Sequence, residues 1–287
     1  MSLPTFSFHM TVDKIIYTRC TIADFPTVLI TGTSLNRIGF ETVRVIAKYA
    51  NLVIITGYNL ERLKLSEDTI KQDIPSANAL IHNAAASLGK FKLTEDNLKK
   101  QVATDHISPF LLTKLLAPKL LATSTASYTP RIVYASGGAH AYGTGVNFDT
   151  LGKPDPAKYT VMDMYFQSKS ANILMGIELS KRSKGKINVI YTNINQKEES
   201  IADMQALGVL DAEGNPTFDK FEWKSMAQGV ATTVTAAFDT RFNDKPGAYL
   251  SDCNVANKEA APHSTDPANA AHLWEVTEKI IGETFVF

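Results

Sequence analysis

Short apolar, strand-like runs alternate with longer helical segments along almost the whole chain, and this alternation constrains the fold more than any other feature. Runs such as Thr-Val-Leu-Ile at 27–30 are rich in β-branched residues and end in turn residues, as buried strands do. Strands joined by helices form βαβ units, which build a parallel sheet covered on both faces. The pattern predicts strands at 27–30, 52–56, 79–82, 131–135, 187–191 and 248–250, and helices at 39–50, 59–72, 95–122, 162–182, 223–238 and 269–281.

This order of elements predicts an α/β fold built on a Rossmann-type, doubly wound parallel sheet flanked by helices. The chain has 287 residues, 44% of them apolar, which is enough for one large domain of this kind. We expect a single domain over residues 1–287, with an N-terminal arm at 1–24. Residues 192–222 contain several acidic residues, and we expect them to form an insertion that acts as a substrate lid.

The charge balance and the cysteines argue against several classes of partner and site. Acidic and basic residues number 29 each, so there is no broad electrostatic attraction to nucleic acid or to an anionic membrane. Cys20 and Cys253 offer neither a disulfide framework nor a metal-binding spacing. Residues 1–24 lack the apolar run of a secretory signal, and no run of about 18 apolar residues is present. We expect a cytoplasmic protein without a metal site, whose partner is a small-molecule substrate.

Tyr165 and Lys169 are the residues best suited to carry chemistry. They lie four positions apart on the helix predicted at 162–182, so their side chains share one face. The lysine ammonium favours the phenolate form of the tyrosine, which makes the phenol a usable proton donor or acceptor. The alternative is a tyrosine packed on the core beside a solvated lysine, because both residue types are common on helices.

The expected ligand site lies where the strands end. In a parallel sheet of this type, ligands bind at the carboxyl ends of the strands. The loops predicted there carry Gly32, Asn83, Ser136 and Thr192. We therefore expect these four residues to converge near the Tyr165 helix.

Several segments, read together, resemble the short-chain dehydrogenase/reductase family over nearly the whole chain. Residues 28–32 resemble its first strand and glycine turn, and residues 82–85 resemble its Asn-Asn-Ala-Gly segment. Residues 165–174 resemble its catalytic helix. Residues 228–233 and 247–250 look most like the retinol-dehydrogenase-like branch that is common in fungi.

The resemblance implies a role for each kind of site residue. In the family, tyrosine is the general acid/base, lysine binds the nicotinamide ribose, serine polarises the carbonyl and asparagine supports a proton relay. The resemblance also implies a homodimer or homotetramer. The positions expected to contact NADP(H), if it binds, are Gly32, Ser34, Arg37, Gly39, Asn83, Lys169 and Thr192.

The phosphate turn departs from the family pattern. Only the outer glycines, Gly32 and Gly39, remain. Asn36 and Arg37 stand where small residues are expected, and their side chains fill the space that a pyrophosphate would approach. The alternative is that Arg37 contacts a phosphate, as a basic residue in this turn does in NADP-dependent relatives.

A second departure follows the strand predicted at 52–56, where the family has an acid or an arginine for the adenosine ribose. Tyr58 stands there instead, and only about 20 residues separate it from the strand at 79–82. The family fits a helix, a strand and another helix into this interval. We therefore expect one edge strand–helix unit to be missing, which leaves the 52–56 strand at the sheet edge. The alternative is that the sequence omits residues of the true chain.

The catalytic positions depart too. Gly137 occupies the family position of the carbonyl-polarising serine, and Ser136 lies one residue earlier, where only a bulge would turn it towards the site. Asp105 replaces the asparagine of the proton relay, so a carboxylate base becomes available; a helix-capping carboxylate is the alternative. Thr192 and Asn193 replace the Pro-Gly that holds the nicotinamide.

These departures favour an enzyme that keeps acid–base chemistry and binds NADP(H) weakly or not at all. The leading hypothesis is a non-redox step on a carbonyl-containing metabolite, such as isomerisation, dehydration or cyclisation in secondary metabolism. One alternative is an NADP(H)-dependent carbonyl reductase or alcohol dehydrogenase with an atypical site, and another is a non-catalytic binding protein. The candidate catalytic residues are Tyr165, Lys169, Asp105 and Ser136.

Overall fold

The apolar runs form a largely parallel sheet. The computed structural model describes residues 27–33, 38–48, 50, 52–56, 80–84, 91–125, 129–192, 205, 211–213, 217 and 224–287. The strands are β1 (Thr27–Thr31), β2 (Leu52–Thr56), β3 (Leu80–His82), β4 (Arg131–Ala135), β5 (Asn188–Thr192), β6 (Ala248–Ser251) and β7 (Asn254–Val255). Within the described residues, the sheet has the order β2-β1-β3-β4-β5-β6-β7, and only β6 and β7 pair antiparallel.

Helices cover both faces of the sheet. They are α1 (Ile38–Ile46), α2 (Lys100–Val102), α3 (Ser108–Ala122), α4 (Phe148–Leu151), α5 (Val161–Ser183), α6 (Met226–Phe238), α7 (Pro262–Thr265) and α8 (Pro267–Ile281). In β4, Val133 faces the core formed with α1 and α6, whereas Ile132 and Tyr134 face the core formed with α3, α5 and α8. Because successive side chains face opposite cores, the strand interiors are apolar on both faces. No described helix combines the length and apolar character needed to cross a bilayer.

The predicted α/β fold class is confirmed, and each predicted strand agrees with an observed strand to within one residue at either end. The hairpin to β7 was not predicted, because a strand of two residues is too short to show the alternation of apolar and polar residues. β2 is the last described strand at its end of the sheet. The segment 57–79 with its predicted helix, the arm 1–24 and most of the insertion 192–222 lie outside the described residues.

The long helix predicted at 95–122 begins later and is not broken at Pro118. A β-bridge between Leu93 and Lys99 closes the turn that precedes it, so residues up to Lys99 belong to this turn. The chain then runs from α2 through one π-helical turn into α3, and Pro118 lies inside α3.

The π-turn, Ala103–Ile107, lies directly before Pro109. The N–H of Ser108 donates to the carbonyl of Ala103, five residues back, instead of to the carbonyl four residues back. Pro109 has no N–H for the carbonyl of Asp105, so the usual ladder of bonds is interrupted here. The wider turn places Asp105 and His106 in the interior, where they are 1% and 2% exposed.

His106 joins the π-turn to α8. Its Nε2 atom lies 2.7 Å from the hydroxyl of Thr277, which donates its single proton to the carbonyl of Leu273, also 2.7 Å away. Nε2 therefore carries the ring proton, and Nδ1 is left as a buried acceptor with no hydrogen-bond partner among the described residues. Burial lowers the pKa of His106 to about 4, so the ring is neutral at neutral pH.

Acid is expected to destabilise the protein through His106. The pKa of this histidine is about 4 when folded and 6.5 ordinarily, so the unfolded chain takes up a proton first as the pH falls. The free energy of unfolding should therefore fall between those two values, by roughly 3 kcal/mol from this residue. Urea unfolding at about pH 7.5 and about pH 4.5 measures the loss, which His106→Gln should reduce.

The matched control is His272→Gln, which changes an exposed histidine on α8 and should keep the pH dependence of the wild type. Burial also lowers the pKa of His140. This residue therefore accounts for part of the pH dependence of stability that remains in His106→Gln. An unchanged loss of stability in His106→Gln would contradict the assignment.

Candidate active site

The carboxyl ends of β1 and β3 are fastened to each other by side-chain hydrogen bonds. The hydroxyl of Thr31 accepts from the backbone N–H of Asn83 at 3.1 Å and from that of Ala84 at 3.0 Å. The side-chain amide of Asn83 donates to the carbonyl of Gly32 at 3.0 Å. Asn83 was predicted to contact a nucleotide; in the structure its amide holds the turn after β1.

Gly32 and Gly39 make this junction possible. Gly32 has a φ of +69°, and a Cβ there would lie 2.6 Å from the Cα of Ala84. A Cβ on Gly39 would lie 2.3 Å from both the Asn83 amide and the carbonyl of Gly32. Both glycines are therefore required by the packing of the chain on itself. The other two residues predicted in this turn, Ser34 and Arg37, lie outside the described residues.

The end of β4 is joined to the middle of α5 by bonds in both directions. The hydroxyl of Ser136 donates to the carbonyl of Lys169 at 2.8 Å. In return, the ammonium of Lys169 and the amide of Asn172 each donate to the carbonyl of Ala135 at 3.3 Å. Ser136 is only 2% exposed, so the hydroxyl that the sequence predicted as catalytic is engaged by the backbone of the helix.

Tyr165 and Lys169 share one face of α5, as their spacing predicts. The helix is capped by Thr160, whose hydroxyl accepts from the N–H of Asp163 at 3.1 Å. The Nζ atom of Lys169 lies 5.3 Å from the centroid of the Tyr165 ring. Lys169 is 3% exposed, whereas Tyr165 is half-buried and so keeps access to a ligand.

Asp105 reaches this pair through Ser168. The hydroxyl of Ser168 lies 2.9 Å from the Asp105 carboxylate and 3.0 Å from the carbonyl of Tyr165, so its one proton serves both acceptors. The π-turn thus brings the predicted carboxylate to the first turns of the catalytic helix. Ser168 itself was not predicted, although its position three residues after Tyr165 places it on a neighbouring face.

Thr192 closes β5 beside this junction. Its carbonyl accepts the N–H of Ser136 at 3.0 Å. Its hydroxyl is fully buried and has no hydrogen-bond partner among the described residues. Gly32, Gly39 and Asn83 form one cluster, and Thr192 lies with Tyr165, Lys169, Asp105 and Ser136 in the other.

His140 has a structural place near the same loops. Its Nδ1 atom donates to the carbonyl of Gly137 at 2.7 Å, and its Nε2 atom accepts from the N–H of Ala261 at 3.3 Å. Both ring nitrogens are thus used to join the loop after β4 to the segment before α7. In the described part of the chain, no group of three or more His, Cys, Asp or Glu side chains is placed to hold a metal ion.

Gly39→Ala is expected to destabilise the protein although alanine favours helices. The added Cβ meets the backbone oxygen of Gly32, which cannot rotate away, so we expect a loss of roughly 1–3 kcal/mol. Urea unfolding at neutral pH measures it. The control is Gly229→Ala in α6, where the nearest atom is the flexible end of Ile38 at 3.2 Å. Equal stabilities for the two variants would contradict the close packing described for Gly39.

No protein-family model matches the sequence. The chain is similar to short-chain dehydrogenase TIC 32 A, chloroplastic, of Brassica napus, with 30% identity over 89% of this chain and 88% of the relative. It is also similar to short-chain dehydrogenase/reductase prx1 of Penicillium roqueforti, with 29% identity over 78% of this chain and 68% of the relative.

Solved structures show the same fold. An uncharacterized protein from Mycobacterium paratuberculosis matches with a TM-score of 0.70 and 22% identity, covering 94% of this chain and all of that one. A short-chain dehydrogenase from Escherichia coli CFT073, complexed with NADPH, matches with a TM-score of 0.57 and 18% identity over 80% of this chain and 98% of that one. Because it is similar to the Brassica protein along most of both chains, the protein belongs to the short-chain dehydrogenase/reductase family.

Proposed function

We propose that this protein is a small-molecule enzyme in which Tyr165 transfers a proton to or from a carbonyl compound, in a step without hydride transfer. Isomerisation, dehydration and cyclisation of a carbonyl-containing metabolite all require such a proton transfer. Tyr165 is the half-buried member of the pair and contacts the substrate. Lys169, fixed by the carbonyl of Ala135, places a positive charge beside the ring.

The position of the Ser136 hydroxyl carries this proposal. A reductase of this family uses a serine hydroxyl to polarise the carbonyl that receives hydride. Here the hydroxyl of Ser136 is buried and donates to the carbonyl of Lys169, while Gly137 has no side chain to take its place. This geometry supports a reaction in which proton transfer, rather than polarisation for hydride attack, is the main requirement.

Asp105 extends the acid–base unit in this proposal. Its carboxylate is 1% exposed, and Ser168 links it to the backbone of Tyr165. A carboxylate in this place is a second proton acceptor that the asparagine of typical relatives does not provide.

Tyr165→Phe is expected to abolish proton transfer without unfolding the protein. A panel of ketones in deuterated water, followed by NMR, reports exchange of the hydrogens next to the carbonyl without any nucleotide. The wild type should accelerate exchange, and the variant should lose on the order of 100-fold of that acceleration. The matched control is Tyr142→Phe, at an exposed tyrosine, which should behave as the wild type. Equal rates with and without the Tyr165 hydroxyl would overturn the proposed role and favour a binding protein.

A second candidate function is an NADP(H)-dependent carbonyl reductase, which the free donors of Lys169 favour. An ammonium has three N–H groups, and Lys169 donates one of them to the carbonyl of Ala135, so two remain for ribose hydroxyls. With the unpartnered hydroxyl of Thr192, the described residues at this end of the site fit a nicotinamide nucleotide. That group would supply the hydride when bound.

Nucleotide affinity separates the two candidates. We expect NADPH to bind with a Kd on the order of 1 mM or weaker, because the phosphate turn and the adenosine end depart from the family pattern. Fluorescence titration and thermal shift measure it. A micromolar Kd that weakens in Lys169→Met, but not in the exposed control Lys181→Met, would instead establish the reductase.

A further inference from the structure

A π-turn precedes one of the two prolines of α3 and not the other. Pro109 follows the π-turn Ala103–Ile107, whereas Pro118 lies inside α3, which stays α-helical from Ser108 to Ala122. A proline removes one N–H from a helix and ordinarily produces a kink or a break. Proline alone therefore does not explain why the chain widens into a π-turn before Pro109.

The residues before the two prolines differ in what they contact. Three positions before Pro109, His106 is 2% exposed and its Nε2 atom donates to the hydroxyl of Thr277 in α8. Three positions before Pro118 stands Leu115, which is 64% exposed. A buried polar contact with another helix thus accompanies the π-turn, and an exposed apolar side chain accompanies the ordinary helix.

The π-turn is held from two sides. Asp105 accepts from the hydroxyl of Ser168 in α5 at 2.9 Å, and the next residue, His106, is bonded to α8 at 2.7 Å. A π-turn contains one residue more than an α-helical turn, so its loss shifts the register by one residue, which is a rotation of roughly 100°. Such a rotation would carry Asp105 away from Ser168.

The bond to Thr277 is not easily replaced, because His106 has no second acceptor. The hydroxyl of Thr277 gives its proton to the carbonyl of Leu273 and so accepts the Nε2–H of the ring. The Nδ1 atom of His106 is buried and has no hydrogen-bond partner among the described residues. Without the Thr277 hydroxyl, either tautomer of the neutral ring would bury an N–H without an acceptor, so the turn is expected to move until the ring finds one.

We propose that the bond between His106 and Thr277 holds the chain in the π-turn and thereby positions Asp105 on Ser168. His106 and Thr277 are positioning residues, since they act through Asp105 rather than on the substrate. This inference rests on the proposed function, because Asp105 belongs to the proposed acid–base unit. Its structural half, the control of the turn by α8, stands without that function.

Crystal structures of variants test the structural half. Thr277→Val keeps the size of the side chain and removes the acceptor, so the oxygens of Asp105 and Ser168 should separate beyond about 4 Å. Thr277→Ser keeps the hydroxyl and His106→Gln keeps an N–H donor in place of Nε2, so both should retain the bond. Pro109→Ala should retain the π-turn, because the side-chain contacts remain. His106→Leu breaks the same bond from the other side and carries the test if Thr277→Val does not fold.

The ketone exchange assay tests the functional half. Thr277→Val should lower kcat by on the order of tenfold and leave KM within about twofold, since the substrate still binds beside Tyr165. The same substitution should cause no further loss in an Asp105→Asn background, because its effect passes through that carboxylate. The matched control is Thr233→Val in α6, where a buried hydroxyl has no hydrogen-bond partner among the described residues; it should behave as the wild type.

Survival of the bond between Asp105 and Ser168 in Thr277→Val would overturn the proposal. So would loss of the π-turn in Pro109→Ala, or an equal fall of kcat in the Asp105→Asn background. A separated Asp105 with unchanged exchange would overturn the positioning role. A wild type that exchanges no ketone hydrogens would reject the proposed function, while the crystal structures would still decide whether His106 and Thr277 control the turn.

Discussion

The site depends on the junction between the end of β4 and the middle of α5. Ser136 donates to the helix backbone, and Lys169 and Asn172 donate back to the carbonyl of Ala135. Because the bonds run in both directions between buried groups, neither element can slide without leaving polar atoms unpaired. This junction fixes the rotation of α5, which in turn fixes where Tyr165 faces. The same bonds use the hydroxyl that would otherwise polarise a substrate.

Much of the fold could be predicted from the sequence because its signals are local. Apart from Arg131, the strand at 131–135 is apolar, since both of its faces are buried, and it is observed at the same residues. The spacing of Tyr165 and Lys169 likewise follows from helical geometry alone. The π-turn was not predictable in this way, because its apolar pattern is that of an ordinary α-helix. Only the missing N–H of Pro109 indicates that the backbone hydrogen-bond pattern of the helix must change there.

The site was less predictable, because its geometry arises from contacts between distant segments. Whether Ser136 faces the ligand or the helix depends on how β4 meets α5, which no local pattern specifies. The burial of Lys99 was not predicted either, since a lysine in a polar stretch ordinarily indicates a solvated surface. Its burial follows from the bridge to Leu93 and from the packing of the turn against Met164.

The separation of these contacts along the chain has a consequence for folding. The bonds around the site join residues 33, 51, 63 and 171 positions apart. Contacts of this kind form only after long loops close, and the same holds for the sheet, in which Ile30 pairs with Ile81 and Arg131 with Asn188. The acid–base residues therefore acquire their arrangement together with the global fold, and a partly folded chain holds the right residues without the site.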